Sequence, residues 1–256
     1  MRSSTGITLA LFTCAALCIA APSRATVDVT LGASWDGSNK SLQKIVDGLF
    51  GAGRISVKDD YLGRKSSDPD PWFWLDNRFS TLLVKEVAGN ANRNLVGWYE
   101  ETGTQPVITN DNVHDGIVFD GPDGVGTTAV VNFTKPMTRF GFYMNPNGSL
   151  GATNAPEPEK FYTNRRYNDL GPDGSGALHA PFDGDVQALI YDLSSIEGPN
   201  TWLVCFEDLD AGANPGPAGC AQTDNDYNDF IFEVTAYGAT PVQPLTFGAL
   251  KAKYTH

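Results

Sequence analysis

Residues 202–210 read Trp-Leu-Val-Cys-Phe-Glu-Asp-Leu-Asp, and residues 224–234 read Asp-Asn-Asp-Tyr-Asn-Asp-Phe-Ile-Phe-Glu-Val. Each stretch joins an apolar run to an acidic cluster. The acidic residues follow the first run and precede the second, so both clusters border the same connecting loop. If the two runs pair as neighbouring antiparallel strands, both clusters lie at one end of a sheet.

The two clusters together supply a set of candidate metal ligands. They are Glu207, Asp208, Asp210, Asp224, Asp226, Asn228 and Asp229. Carboxylates at such density repel one another by about 1 kcal/mol per close pair even in bulk water. A divalent cation removes this repulsion, and Ca²⁺ takes six to eight hard oxygen ligands in flexible geometry. The sequence therefore predicts a calcium site.

The loop is not an EF-hand, because position six is Asp229 rather than Gly and position twelve is Thr235 rather than Glu. A second interpretation involves no metal: the Asp and Asn side chains cap turns and accept hydrogen bonds from backbone amides. Asp208 and Asp229 can also divide the roles, one binding the metal and the other fixing the loop.

Runs rich in β-branched and aromatic residues, separated by Gly, Pro and Asp, predict short strands along the rest of the chain. They are residues 55–57, 81–87, 95–99, 116–119, 127–133, 139–144, 186–191, 202–207 and 230–237. Residues 145–185 contain no predicted strand, and residues 41–50 have the apolar spacing of one helix. The predicted fold is mostly β, an antiparallel β-sandwich or jelly-roll-like domain with one short N-terminal amphipathic helix.

The first residues have the pattern of an export signal. Arg2 precedes an uncharged apolar run over 7–21, and small residues at 23 and 25 predict cleavage after Ala25. Without Arg2 and Arg24, the formal charge of −12 becomes −14. This acidity argues against nucleic acid as a partner, and no second apolar run predicts a membrane span in residues 26–256. We therefore expect a secreted, extracellular protein, with cell-surface association left open.

Two cysteines, Cys205 and Cys220, remain after the predicted cleavage. An isolated pair in an oxidising compartment predicts a disulfide. Two unpaired thiols, one of them buried on a strand, are the alternative.

The motif Phe-Glu-Asp-Leu at 206–209, followed by a variable loop and Asp-x-Asp-Tyr-Asn-Asp-Phe at 224–230, resembles the C-terminal signature of the DUF4114 family. The resemblance is specific over 202–234 and looser back to residue 116. It implies an exported bacterial β domain of surface or matrix proteins, for which calcium binding is the usual inference. We accordingly predict a signal peptide over 1–25, an N-terminal part over 26–115, the DUF4114-like domain over 116–237, and a linker with a basic tail over 238–256.

Two other functions remain as alternatives to a calcium-binding protein that attaches to an extracellular matrix or cell-surface component. Trp72 and Trp74 share one face of an extended segment and would form a carbohydrate-binding platform if exposed, or core anchors if buried. Abundant carboxylates leave a glycoside hydrolase open. However, the chain contains no nucleophile elbow, metalloprotease helix motif or phosphate loop. The sequence therefore favours a protein without catalytic activity.

Overall fold

Short antiparallel strands are the main regular structure in the described part of the chain. The computed structural model describes residues 29, 31–32, 37, 39–64, 73, 78–88, 91–134, 139–146, 160–168, 186–209 and 224–237. Helix α1 is Leu42–Phe50, and the strands are β1 Arg78–Glu86, β2 Leu95–Glu100, β3 Asp115–Phe119, β4 Thr128–Asn132, β5 Phe140–Asn145, β6 Phe161–Tyr162, β7 Ala188–Asp192, β8 Thr201–Phe206 and β9 Phe230–Tyr237. Single-turn 3₁₀ helices span Ala91–Arg93 and Arg165–Tyr167.

The strands form two sheets, a five-stranded one in the order β4-β1-β9-β8-β7 and a four-stranded one in the order β3-β2-β5-β6. A largely aromatic core lies between them, and Phe79 of β1 stacks on Phe140 of β5 with ring centroids 4.8 Å apart. The mostly β architecture, with one α-helix among the described residues, is consistent with a β-sandwich and confirms the predicted fold class.

Both sheets are also covered on their outer faces. Leu42 and Val46 of α1 pack on the five-stranded sheet together with Ile55 and Val57. Tyrosines of β2, β5 and β6 form a third cluster on the four-stranded sheet. Because both faces are buried, several strands are continuous apolar runs rather than alternating ones.

Two predictions about local structure were wrong. Residues 55–57 form turns instead of a strand, because the Gln43 side chain of α1 satisfies their backbone: its Nε2 donates to the Ile55 carbonyl at 2.9 Å and its Oε1 accepts from the Val57 N–H at 2.9 Å. The stretch predicted to lack strands contains β6, whose Phe161 and Tyr162 pair with β5.

Strands β1 and β2 precede residue 116, so residues on both sides of that predicted boundary share the same sheets. The predicted signal peptide and the tail over 238–256 lie outside the described residues. Within the described chain, no helix combines the length and apolar character needed to cross a bilayer.

Candidate metal centre

The acidic cluster lies at the end of the five-stranded sheet where β8 ends and β9 begins. Phe206 in β8 is the register partner of Phe230 in β9. Glu207 and Asp208 therefore leave β8 at the edge where Asp229 enters β9. This pairing brings the two acidic stretches together, as the sequence predicted.

Three carboxylates of this cluster approach one another closely. Glu207, Asp226 and Asp229 each offer an oxygen, and these oxygens all lie within 4.8 Å of one another. The three residues are only 1%, 3% and 7% exposed, respectively. Two oxygens bound to one Ca²⁺ at about 2.4 Å are at most about 4.8 Å apart. The group is therefore able to hold a metal ion.

The other predicted ligands lie beside this group or apart from it. Asp208 directs its carboxylate to Asn94, whose Nδ2 donates to Oδ2 at 3.2 Å. Asn228 donates from Nδ2 to Asp226 Oδ2 at 2.6 Å and to the Lys40 carbonyl at 2.7 Å, which ties the cluster to the start of α1. Asp224 is described but is not a member of the group, and Asp210 lies outside the described residues.

Backbone amides hold the carboxylates of the group in place. The Asp208 N–H donates to Asp229 Oδ2 at 2.8 Å, and the Tyr227 N–H donates to Glu207 Oε2 at 3.2 Å. Asp229 thus combines both roles that the sequence left open, because it fixes the loop and also belongs to the group. Such hydrogen bonds pre-organise the oxygens for a ligand.

The loop that carries Asp226 has a constrained backbone. Its neighbours Asn225 and Tyr227 adopt left-handed conformations, with φ of 52° and 54°. This is uncommon for a bulky residue. The buried Tyr227 ring packs beneath α1, and its hydroxyl donates to the Val186 carbonyl at 2.8 Å. The Gly32 N–H also donates to the Asn225 carbonyl at 2.9 Å. Tertiary contacts therefore determine the conformation of this loop.

The environment disfavours the charged form of Asp229. Burial raises the pKa of its carboxyl well above the usual range, and the charges of Glu207, Asp208 and Asp226 raise it further, against the lowering effect of the Asp208 N–H. A bound cation has the opposite effect, because it stabilises the carboxylate.

Sequence reasoning missed Glu86, Asn94 and Asp123, which come close to the cluster only in the fold. Glu86 ends β1 and is the register partner of Phe230, so it lies beside Asp229. Burial, followed by the charges of Asp208 and Asp123, raises the pKa of Glu86 to about 7. The three residues come from separate segments of the chain, and the sequence did not show that β1 is adjacent to β9.

The predicted Cys205–Cys220 disulfide is not formed in the structure. Cys205 is a free thiol in β8, fully buried against the residues beneath α1, and burial raises its pKa well above the usual range. Its position on the face covered by α1 follows from the alternation of β8. Cys220 lies outside the described residues.

The residues of the other two functional alternatives fall largely outside the described chain. Trp72 and Trp74 are outside it, although Phe73 between them is buried and pairs with Phe140. The hydrolase alternative would need His114 or His179 in a pocket with a buried carboxylate, and His179 is also outside the described residues. The His114 side chain is 57% exposed, and its Nδ1 lies 2.8 Å from Glu100 Oε2.

All the candidate ligands in the group are carboxylate oxygens, which suit hard cations such as Ca²⁺ and Mg²⁺ rather than soft metals.

Models of protein families, curated proteins and solved structures were compared with the chain, and none of the three comparisons found a match. The resemblance to the DUF4114 family therefore stays a prediction based on residues 202–234.

Proposed function

We propose that this chain is a secreted, calcium-binding β-sandwich protein with an adhesion, matrix or structural role and no catalytic activity. The observation that carries the proposal is the group formed by Glu207, Asp226 and Asp229, in which three buried carboxylate oxygens lie within 4.8 Å of one another. Buried charges of one sign require compensation, and a divalent cation supplies it at a single point.

Calcium fits this group better than magnesium. Mg²⁺ requires near-ideal octahedral geometry at about 2.1 Å and retains several waters, whereas Ca²⁺ accepts irregular sets of six to eight oxygens. The group is assembled from the end of β8, a loop and the start of β9, and the flexible coordination of Ca²⁺ tolerates ligands from separate segments. Extracellular calcium modules bind with dissociation constants on the order of 10⁻⁴–10⁻³ M, so three carboxylates are sufficient for a site of this class.

Calcium binding would rigidify the loop residues that follow β8 and those that precede β9. Asp226 and Asn228 connect this loop to the Lys40 carbonyl before α1, so ordering of the loop extends to the helix. A calcium-stabilised surface of this kind suits attachment to an extracellular matrix or cell-surface component. The predicted export signal, the acidic charge and the DUF4114 resemblance support the same assignment.

Calcium titration of the metal-free protein tests the proposal. We expect chelator-treated protein to melt at a lower temperature, calcium to restore the melting temperature, and potassium at equal ionic strength to have no effect. Glu207→Gln keeps an acceptor for the Tyr227 N–H but removes a charge, so it should weaken calcium binding by at least about tenfold.

Glu233→Gln is the matched control, because Glu233 is a partly buried glutamate of β9 outside the group. Its calcium affinity should equal that of the wild type. A melting temperature that does not respond to either chelator or calcium would exclude the proposed function.

A further inference from the structure

The Asp208 carboxylate contacts Asn94 rather than the group of Glu207, Asp226 and Asp229, and it belongs to a second set of polar residues, called here the second assembly. Four chain segments from both sheets contribute to it. Glu86 ends β1, Asn94 precedes β2, Asp123 lies in the turn after β3, and Asp208 follows β8. The turn is held in place because Asp123 Oδ2 accepts the Asp120 N–H at 2.8 Å.

Asn94, which contacts Asp208, has a buried acceptor without a hydrogen-bond partner among the described residues. Its side chain is completely buried, and its Nδ2 donates to Asp208 Oδ2. Its Oδ1 is buried and has no hydrogen-bond partner among the described residues. An amide oriented with its nitrogen toward a carboxylate presents its oxygen in a different direction. A buried amide oxygen without a donor costs roughly 1–3 kcal/mol, so this position requires an electropositive partner.

Glu86 has the same unused capacity. Its Oε1 is buried and has no hydrogen-bond partner among the described residues. Buried carboxylates elsewhere in the fold are well supplied with donors. Glu101 accepts from the Gly103 N–H, the Asn164 side-chain amide and the Tyr167 hydroxyl. Glu86 therefore differs from the structural carboxylates of this protein.

We propose that Glu86, Asn94 and Asp208 form a second divalent-cation site, with Asp123 adding negative charge from the turn. The predicted ligands are Glu86 Oε1, Asn94 Oδ1 and a carboxylate oxygen of Asp208, completed by water. This donor set of hard oxygens favours Ca²⁺. The site goes beyond the proposed function, because it joins strand ends of both sheets, whereas the first group lies within one sheet.

A cation accounts for this assembly better than a water molecule does. A water would satisfy Glu86 and Asn94 with its two donors but would leave the negative charge in place. Asp208 Oδ2 lies 3.2 Å from Asn94 Nδ2, so carboxylate charge is present within the assembly. A divalent ion supplies partners to both oxygens and also offsets these charges.

Calcium stoichiometry, measured by calorimetry on the full secreted chain, tests the inference. We expect two equivalents for the wild type, one for Glu86→Gln, one for Glu207→Gln and none for the double variant. Glu233→Gln should keep both equivalents. Asp123→Asn alters only a partly exposed turn residue, so it should fold and bind the second equivalent about tenfold more weakly.

The outcomes separate the two sites. Suppose that the wild type binds one equivalent of calcium, and that Glu207→Gln loses it while Glu86→Gln and Asp123→Asn keep it. The second site is then refuted and the proposed function stands. If the single equivalent is lost in Glu86→Gln and kept in Glu207→Gln, the second site is supported and the first is refuted. Should Glu86→Gln fail to fold, unchanged binding by Asp123→Asn would refute the second site.

Discussion

Asp229→Asn distinguishes a cation site from a set of turn-capping carboxylates, because only the cation site predicts a weaker response to calcium. Asparagine keeps the side-chain oxygen that accepts the Asp208 N–H, and its new amide hydrogens have Glu207 and Asp226 as acceptors. The substitution therefore preserves the turn and removes one buried negative charge. We expect it to stabilise the metal-free protein and to weaken the response to calcium.

The magnitude follows from the geometry of the group. Two unit charges 4.8 Å apart repel by about 3.5 kcal/mol at an effective dielectric constant of about 20. Asp229 faces two such neighbours, but protonation limits the cost. Holding a carboxyl with an ordinary pKa of about 3.9 neutral at pH 7 costs about 4 kcal/mol. Asp229→Asn should therefore raise the metal-free unfolding free energy by about 2–4 kcal/mol.

Thermal melts with and without calcium provide the assay. A chain of this size shifts its melting temperature by roughly 2–4 °C per kcal/mol, so the metal-free variant should melt roughly 4–16 °C higher than the wild type. Calcium at 100 times its dissociation constant stabilises the folded protein by about 2.7 kcal/mol per site. In the variant the contribution of this site to the calcium-dependent increase should fall by more than half.

Asp192→Asn is the control for turn capping. Asp192 is an exposed residue whose Oδ1 accepts the Ser194 N–H at 2.8 Å, and its replacement should change neither the metal-free melt nor the calcium response. If Asp229→Asn left the calcium response unchanged, the carboxylates would be turn caps and the reasoning would be refuted.

Three further predictions concern pH, the helix contact and the thiol. The pKa of Glu86 is raised from 4.5 to about 7, so between these pH values the folded state binds more protons than the unfolded state. The cation-stripped protein should therefore lose stability as pH rises from about 4.5 to 7. A melting temperature that rises over this interval would contradict the prediction. Gln43→Leu removes both hydrogen bonds to residues 55–57 and should lower the unfolding free energy by about 1–3 kcal/mol in a denaturant titration, with calcium stoichiometry unchanged. Cys205 should resist alkylation in the native protein and react after denaturation without reductant; a disulfide-linked peptide containing Cys205 in the mass spectrum would show that the thiol is not free.

Local patterns in the sequence were sufficient for the fold class and most of the strands. Apolar runs between turn residues predicted eight of the nine described strands, and the spacing of Leu42, Val46 and their neighbours predicted α1. These features depend on short-range periodicity, which the chain carries in each segment. Strand β6 was missed because two residues are too few to form a pattern.

The sequence also identified the acidic residues around 207 and 229, because a dense charge cluster next to an apolar strand is visible locally. Only the tertiary structure decided which of them act together. The pairing of β8 with β9 brings Glu207, Asp226 and Asp229 together, whereas the Asp208 carboxylate is directed toward Asn94 instead. Glu86 and Asn94 lie near Asp208 because strand pairing and sheet packing bring distant segments of the chain together. Such neighbours are set by sheet order and by the packing of the two sheets, which no local pattern in the chain encodes.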